Sequence, residues 1–154
     1  MTPVSHNVRS CQRGVAVVEF TIALPLLLFL LLATAEVGRV LSQYDTLTKS
    51  VRDASRYVAG KALNPAGIVS ISPQLSSETR NLLATGSIGG SGSPLLRGLS
   101  ASNVTVTNAG NGYVSVSVSY AYTPMLGASL PTFGLGRPIS LAIPLKATVV
   151  MRAL

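Results

Sequence analysis

The sequence predicts an α+β fold: a long amino-terminal helix, first membrane-spanning and then amphipathic, packed on a small antiparallel β-sheet. Three observations predict it. Apolar residues are concentrated in one block, residues 15–37. An apolar period of three and four residues then runs on to Val58. A period of two takes over between Val104 and Met151. The chain has 154 residues, enough for one domain and hardly for two. The expected organisation is a leader at 1–14, a transmembrane segment at 15–37 and an outer α+β domain at 38–154.

Within residues 15–37 only Glu19 and Glu36 carry charge, and Thr21 and Thr34 are the only other polar side chains. A helix crossing a hydrocarbon layer roughly 30 Å thick needs about 20 such residues. Membrane lipid is therefore an expected partner. Beyond the block, Val37, Val40, Leu41, Tyr44, Leu47, Thr48, Val51, Ala54, Ser55 and Val58 recur as one stripe of an amphipathic helix. Pro25 can kink this helix and Gly38 only weakens it. Gly60, with Asn64-Pro65 beyond, reads as its end. One helix over residues 15–59 would be about 68 Å long, more than a bilayer hides. Its outer half needs something to pack against.

Residues 64–93 are rich in Ser, Gly and Pro. "SSETRNLLA" suggests a short helix capped by Ser76 or Ser77. "GSIGGSGS" reads as a flexible loop. It lacks the Lys-Ser/Thr ending and the preceding strand of a phosphate-binding loop. In "YVSVSVSYAY", Val114, Val116, Val118, Tyr120 and Tyr122 fall on one side of a strand and Tyr113, Ser115, Ser117 and Ser119 on the other. "NAGNG" joins this strand to the preceding alternation at Val104 and Val106 as a hairpin. A third alternation follows in Leu141, Ile143, Leu145, Ala147, Val149 and Met151. One apolar sheet face needs a cover and the helix stripe needs a partner, so each is expected to bury the other. "TPMLGASLPTFGLG" between the last two strands reads as an irregular core edge, with an exposed contact loop as the alternative.

The inventory excludes much chemistry. His6 is the only histidine and Cys11 the only cysteine, so Ser-His-Asp and Cys-His arrangements, internal disulfides and zinc sites with nitrogen or sulfur ligands have no residues after Gly14. Nothing pairs the remaining carboxylates Asp45, Asp53 and Glu78 for acid–base work. No enzyme, cofactor or metal is expected. The formal charge is +7, but the basic residues are scattered. Lys49, Arg52 and Arg56 lie among Asp45 and Asp53, as on a solvated, ion-paired helix face. Nucleic acid is not an expected partner.

Glu19 is the residue that asks for an explanation, because an acid inside a span is costly. An ordinary signal sequence cut after "ATA" (Ala33 to Ala35) would remove the helix where its amphipathic half begins. In a plain anchor, Glu19 would be tolerated near the interface by the helix dipole. A third reading starts from "RGVAVVEF": a basic residue, a glycine, four apolar residues, then Glu19 and Phe20. This resembles a type IV prepilin processing site, and more specifically the TadE-like pseudopilins of the Tad/Flp (type IVc-like) pilus system. The likeness covers residues 13–60, including Leu24-Pro25, "EVGR" and "RDASRYVA"; Val37 stands where the family more often has Phe.

The resemblance implies an inner-membrane minor pseudopilin cut between Gly14 and Val15 by a prepilin peptidase. Its implied partners are that peptidase, the major Flp pilin, another TadE/TadF-like pseudopilin and the inner-membrane assembly platform. It also implies a periplasmic carboxyl domain, a place in the pilus, and roles in adhesion and biofilm formation. Arg9 and Arg13 fit a cytoplasmic leader through the positive-inside bias. In the family the acid at Glu19 is understood to meet the amino terminus of a neighbouring subunit. The alternative is a membrane-anchored periplasmic binding module unrelated to pili.

Overall fold

The structure is a computed structural model that describes residues 9–125, 127, 129–130, 137 and 139–154. It divides into two compact units, residues 1–38 and 39–154, each described by itself below. The architecture is α+β. Helix α1 covers Arg9–Ala59 and helix α2 covers Pro73–Thr85. Strands β1 (Val104–Gly110), β2 (Tyr113–Ala121) and β5 (Pro144–Arg152) form one antiparallel sheet in the order β1-β2-β5, and β3 (Ser129–Leu130) pairs with β4 (Ile139–Ser140). Helix α1 is already formed at Arg9, the first described residue, ahead of the expected residue 15; Gly14 weakens a helix without breaking it. Of the expected leader, residues 1–8 lie outside the described residues. So does most of the Gly/Pro-rich stretch between Met125 and Ile139, including the residues on which its reading as a core edge rests.

In the first unit the apolar block is helical throughout and leaves most of its apolar side chains uncovered, while Glu36 near its end is buried. Val15, Ile22, Leu26, Leu30 and Leu31 are each more than 60% exposed. A side chain of this kind gains about 1.5–3 kcal/mol on leaving water. With no protein to cover it, the gain is available from lipid. The helix is long and apolar enough to cross a membrane, and its most apolar stretch is not buried in protein. Two hydroxyls are satisfied within the helix: Thr21 Oγ1 donates to the Val17 carbonyl at 2.7 Å and Thr34 Oγ1 to the Leu30 carbonyl at 2.8 Å. An apolar surrounding therefore leaves neither donor orphaned.

In the second unit the outer part of α1 covers the sheet. Leu47, Val51, Ala54 and Val58 are fully buried in one cluster with Val104, Val114, Val116, Val118 and Tyr120. The stripe read from the sequence is wider than the face that packs. Leu41 and Tyr44 remain 62% and 44% exposed, although Val40 just before them packs against the core and Leu47 after them is fully buried. A three- and four-residue period marks a face of a helix but not how wide a part of that face is covered. After the helix end at Ala59, the Gly60 N–H donates to the Arg56 carbonyl at 3.1 Å and a tight turn follows at Asn64–Gly67.

Helix α2 starts at Pro73, capped by Ser72, whose Oγ accepts from the Leu75 N–H at 3.1 Å. The cap expected at Ser76 or Ser77 is thus corrected. Proline at the first helical position has φ preset and no N–H to satisfy, so the cap lies four or five residues earlier and both serines fall inside the helix. Gly86, at φ 74°, closes the other end. The glycine-rich segment after it is irregular, as expected, and is tied down where the Asn81 amide donates to the Ile88 carbonyl and the Leu95 N–H to the Ala84 carbonyl.

The hairpin turn is Asn111-Gly112, both at positive φ (52° and 81°), with a bulge between Asn108 and Gly110. On β2 the alternation holds as expected: Val114, Val116, Val118 and Tyr120 are buried. Strand β5 is shorter than the third alternation suggested. Leu141 and Ile143 precede it, in a turn where the Ile143 N–H donates to the Leu141 carbonyl at 2.9 Å. Beyond β5, the Leu154 N–H donates to the Ala59 carbonyl at 2.9 Å, fastening the chain end to the end of α1.

Candidate processing and assembly site

The residues singled out in the sequence are Gly14, Val15, Glu19 and Phe20. All four lie on α1 in the first unit and all are exposed. Val15 and Glu19 stand one turn apart on one helix face. With Gly14, Val18 and Ile22 they line a shallow groove whose surface is almost wholly apolar. Phe20 is 59% exposed. The helix thus brings Gly14, Val15 and Glu19 together, with Phe20 next to Glu19 in sequence.

Gly14 is informative for what it does not touch. A Cβ placed there meets no described atom within 4 Å, and its φ is not positive. Nothing among the described residues needs a glycine, yet a helical glycine costs about 0.5–1 kcal/mol against alanine.

The second unit carries a polar cluster that no sequence pattern announced. Tyr57 Oη donates to Glu78 Oε2 at 2.7 Å, Gln74 Nε2 donates to Glu78 Oε1 at 2.9 Å, and Lys61 Nζ donates to Tyr57 Oη at 2.8 Å. The Lys61 ammonium also lies 4.4 Å from the centre of the Tyr57 ring. The hydrogen bonds from Tyr57 and then Gln74 hold the Glu78 carboxyl below its ordinary value, and the bond to Tyr57 holds the Lys61 ammonium above its own. Lys61 and Glu78 face an open groove of about 400 Å³ that Asn64, Ser72 and Gln74 also line.

Nearby, Tyr120 Oη donates to the Arg97 carbonyl at 2.9 Å, and burial raises its pKa against a smaller opposing effect of Arg39. On the outer face of α1, Lys49 pairs with Asp45 at 2.7 Å. Asp53, expected to share in this, makes no ion pair among the described residues. No group of acidic, His or Cys side chains among the described residues could hold a metal ion.

Comparison with known families bears on the first of these sites. The model of the TadE-like proteins matches residues 14–56, which takes in Gly14, Val15, Glu19, Phe20 and α1 almost to its end. The resemblance read from "RGVAVVEF" and the residues after it is found independently over that span. No curated protein and no solved structure matches the chain.

Proposed function

We propose that a chain with this TadE-like segment is a minor pseudopilin taking part in Tad/Flp pilus biogenesis at the inner membrane. A prepilin peptidase cuts it between Gly14 and Val15, and it then acts through subunit assembly, not catalysis. The observation that carries this reading is the coincidence of the TadE-like match with an uncovered apolar helix on which Val15 and Glu19 share a face. Cleavage creates an ammonium at Val15. On a helix bundled with its neighbours, that ammonium and a Glu19 carboxylate from another subunit offset part of each other's desolvation. The pair also sets the axial register. Helix α1 runs from the leader through the span, and residues 39–154 form the periplasmic domain. The partners are the peptidase, the major pilin, a second pseudopilin and the assembly platform.

The test is the intact mass and amino-terminal sequence of the membrane-extracted protein, with and without its cognate peptidase. A start at Val15 that depends on the peptidase is expected. A start at Met1 in both samples would leave a simple anchor. A start at Glu36 would make the protein an exported soluble domain. Glu19→Ala is expected to impair processing or assembly; if both are unchanged, the role given to Glu19 fails. A second reading, a membrane-anchored binding module, is favoured by the groove between Lys61 and Glu78. It predicts a start at Met1 and no dependence on pilus genes.

A further inference from the structure

The outer edge of β5 is the longest uncovered piece of backbone in the sheet. β5 pairs with β2 over nine consecutive residues without a bulge. The bonds that flank this ladder, Ala153 N–H to the Gly112 carbonyl and Tyr122 N–H to the Ile143 carbonyl, both involve odd-numbered residues after position 140. In an antiparallel pair the bonding direction alternates along the strand. Leu145, Ala147, Val149 and Met151 therefore bond to β2. Lys146, Thr148, Val150 and Arg152 turn their N–H and C=O groups away from it, and among the described residues no backbone group meets them.

The opposite edge of the sheet is managed differently. β1 carries a bulge, and its Asn108 amide donates to the Val69 carbonyl at 3.3 Å. Long, regular, unpaired edges are a liability that proteins normally cover, bend or charge. Among the described residues, nothing covers β5, and it is not bent. The core face behind it is also incomplete at this side, since Val149 and Met151 are only half-buried.

We infer that the outer edge of β5 is a docking edge for an extended segment of another protein, apolar and acidic at alternate positions. Backbone pairing with an added strand supplies the general attraction, and alternate side chains supply the selection. On one face of the added strand, apolar residues cover Val149 and Met151. On the other, carboxylates lie across from Lys146 and Arg152. A second copy of this chain does not fit. All five of its carboxylates, Glu19, Glu36, Asp45, Asp53 and Glu78, lie on helices, and none lies on a strand. Two β5 strands would bring no carboxylate to the shared edge, only the cations Lys146 and Arg152 as charged groups and the N–H-less Pro144. The edge thus resists its own kind and selects an acid-bearing strand, independently of whether the chain is a pseudopilin.

The test uses the full chain in detergent micelles and a nine-residue synthetic peptide that alternates valine with polar residues and sets glutamates across from Lys146 and Arg152. Amide hydrogen exchange is the readout. In the chain alone, the amides of Lys146, Thr148, Val150 and Arg152 should exchange fast while those of Val149 and Met151 are protected. With peptide at about ten times its Kd, exchange of the four should slow about elevenfold. A peptide N-methylated at its bonding positions should give no protection, and one with lysines for glutamates should bind more weakly at low salt. Neither control changes the protein. Protection of the four amides in dilute chain alone, protection that grows with the chain's own concentration, or none with the peptide would each overturn the proposal.

Discussion

At the scale of single residues, Gly14 and Tyr57 make opposite kinds of claim. Gly14 is open on the side where a Cβ would go, so Gly14→Ala should stabilise the local helix by about 0.5–1 kcal/mol. The same change should block cleavage if a peptidase needs the bare backbone. Circular dichroism of the detergent-solubilised variant and its amino-terminal sequence check the two halves separately. Tyr57 holds Glu78 and Lys61 in their charged forms. A carboxyl held below its ordinary 4.5 lends stability that is full above that pH and lost as pH falls through the depressed value. An ammonium held above its ordinary 10.5 lends stability that is full below that pH and lost as pH rises through the raised value. Tyr57→Phe should therefore lower the Tm by its largest margin between those limits. The gap from the parent chain should close on acidification below pH 4.5, and a gap that does not vary with pH would show that only packing was lost.

At the scale of elements, the hairpin and the outer part of α1 set the sheet in place. Gly112, at φ 81°, occupies a backbone region that costs an L-residue about 1–2 kcal/mol. Gly112→Ala should destabilise the second unit by about that amount, and Asn111→Gly should not, as chemical denaturation can measure. Leu47 is fully buried in the core that α1 shares with the sheet, so Leu47→Ala should cost about 2–5 kcal/mol.

These elements were readable because their signals are local. Alternating Val and Ser on β2, the Asn-Gly turn and the apolar block each fit within a few residues. The same holds for the cluster from Gly14 to Phe20, which is one short stretch of one helix. The start of α2 was misread because Ser76 and Ser77 are good caps in isolation, and Pro73 outweighs them only once the helix is seen to begin there. The Tyr57–Glu78 bond joins residues 21 apart on different helices, and no periodicity encodes it. Leu41 and Tyr44 share the spacing of the stripe, and periodicity alone does not separate them from Val40 and Leu47, which pack against the core.

At the scale of the whole molecule, the two units meet different solvents. The first has a helix without a protein core, and its apolar side chains gain nothing from folding unless lipid receives them. The second has a core of its own that draws on α1 from Val40 onward. A chain begun at Arg39 retains Leu47, Val51, Ala54 and Val58 and with them the cover of the sheet. It should be released from the membrane, stay folded and unfold cooperatively in denaturant. A chain begun at Gly60 loses all four side chains and uncovers Val114, Val116 and Val118 at once. At about 1.5–3 kcal/mol for each buried aliphatic side chain, the loss matches or exceeds the net stability of an ordinary domain. That shorter chain should aggregate or remain unfolded. Expressing both and comparing their solubility and their protected amides on β2 decides the matter. If the chain from Gly60 folds as well as the chain from Arg39, the outer part of α1 is a bystander to the core, and the cover assigned to it is wrong.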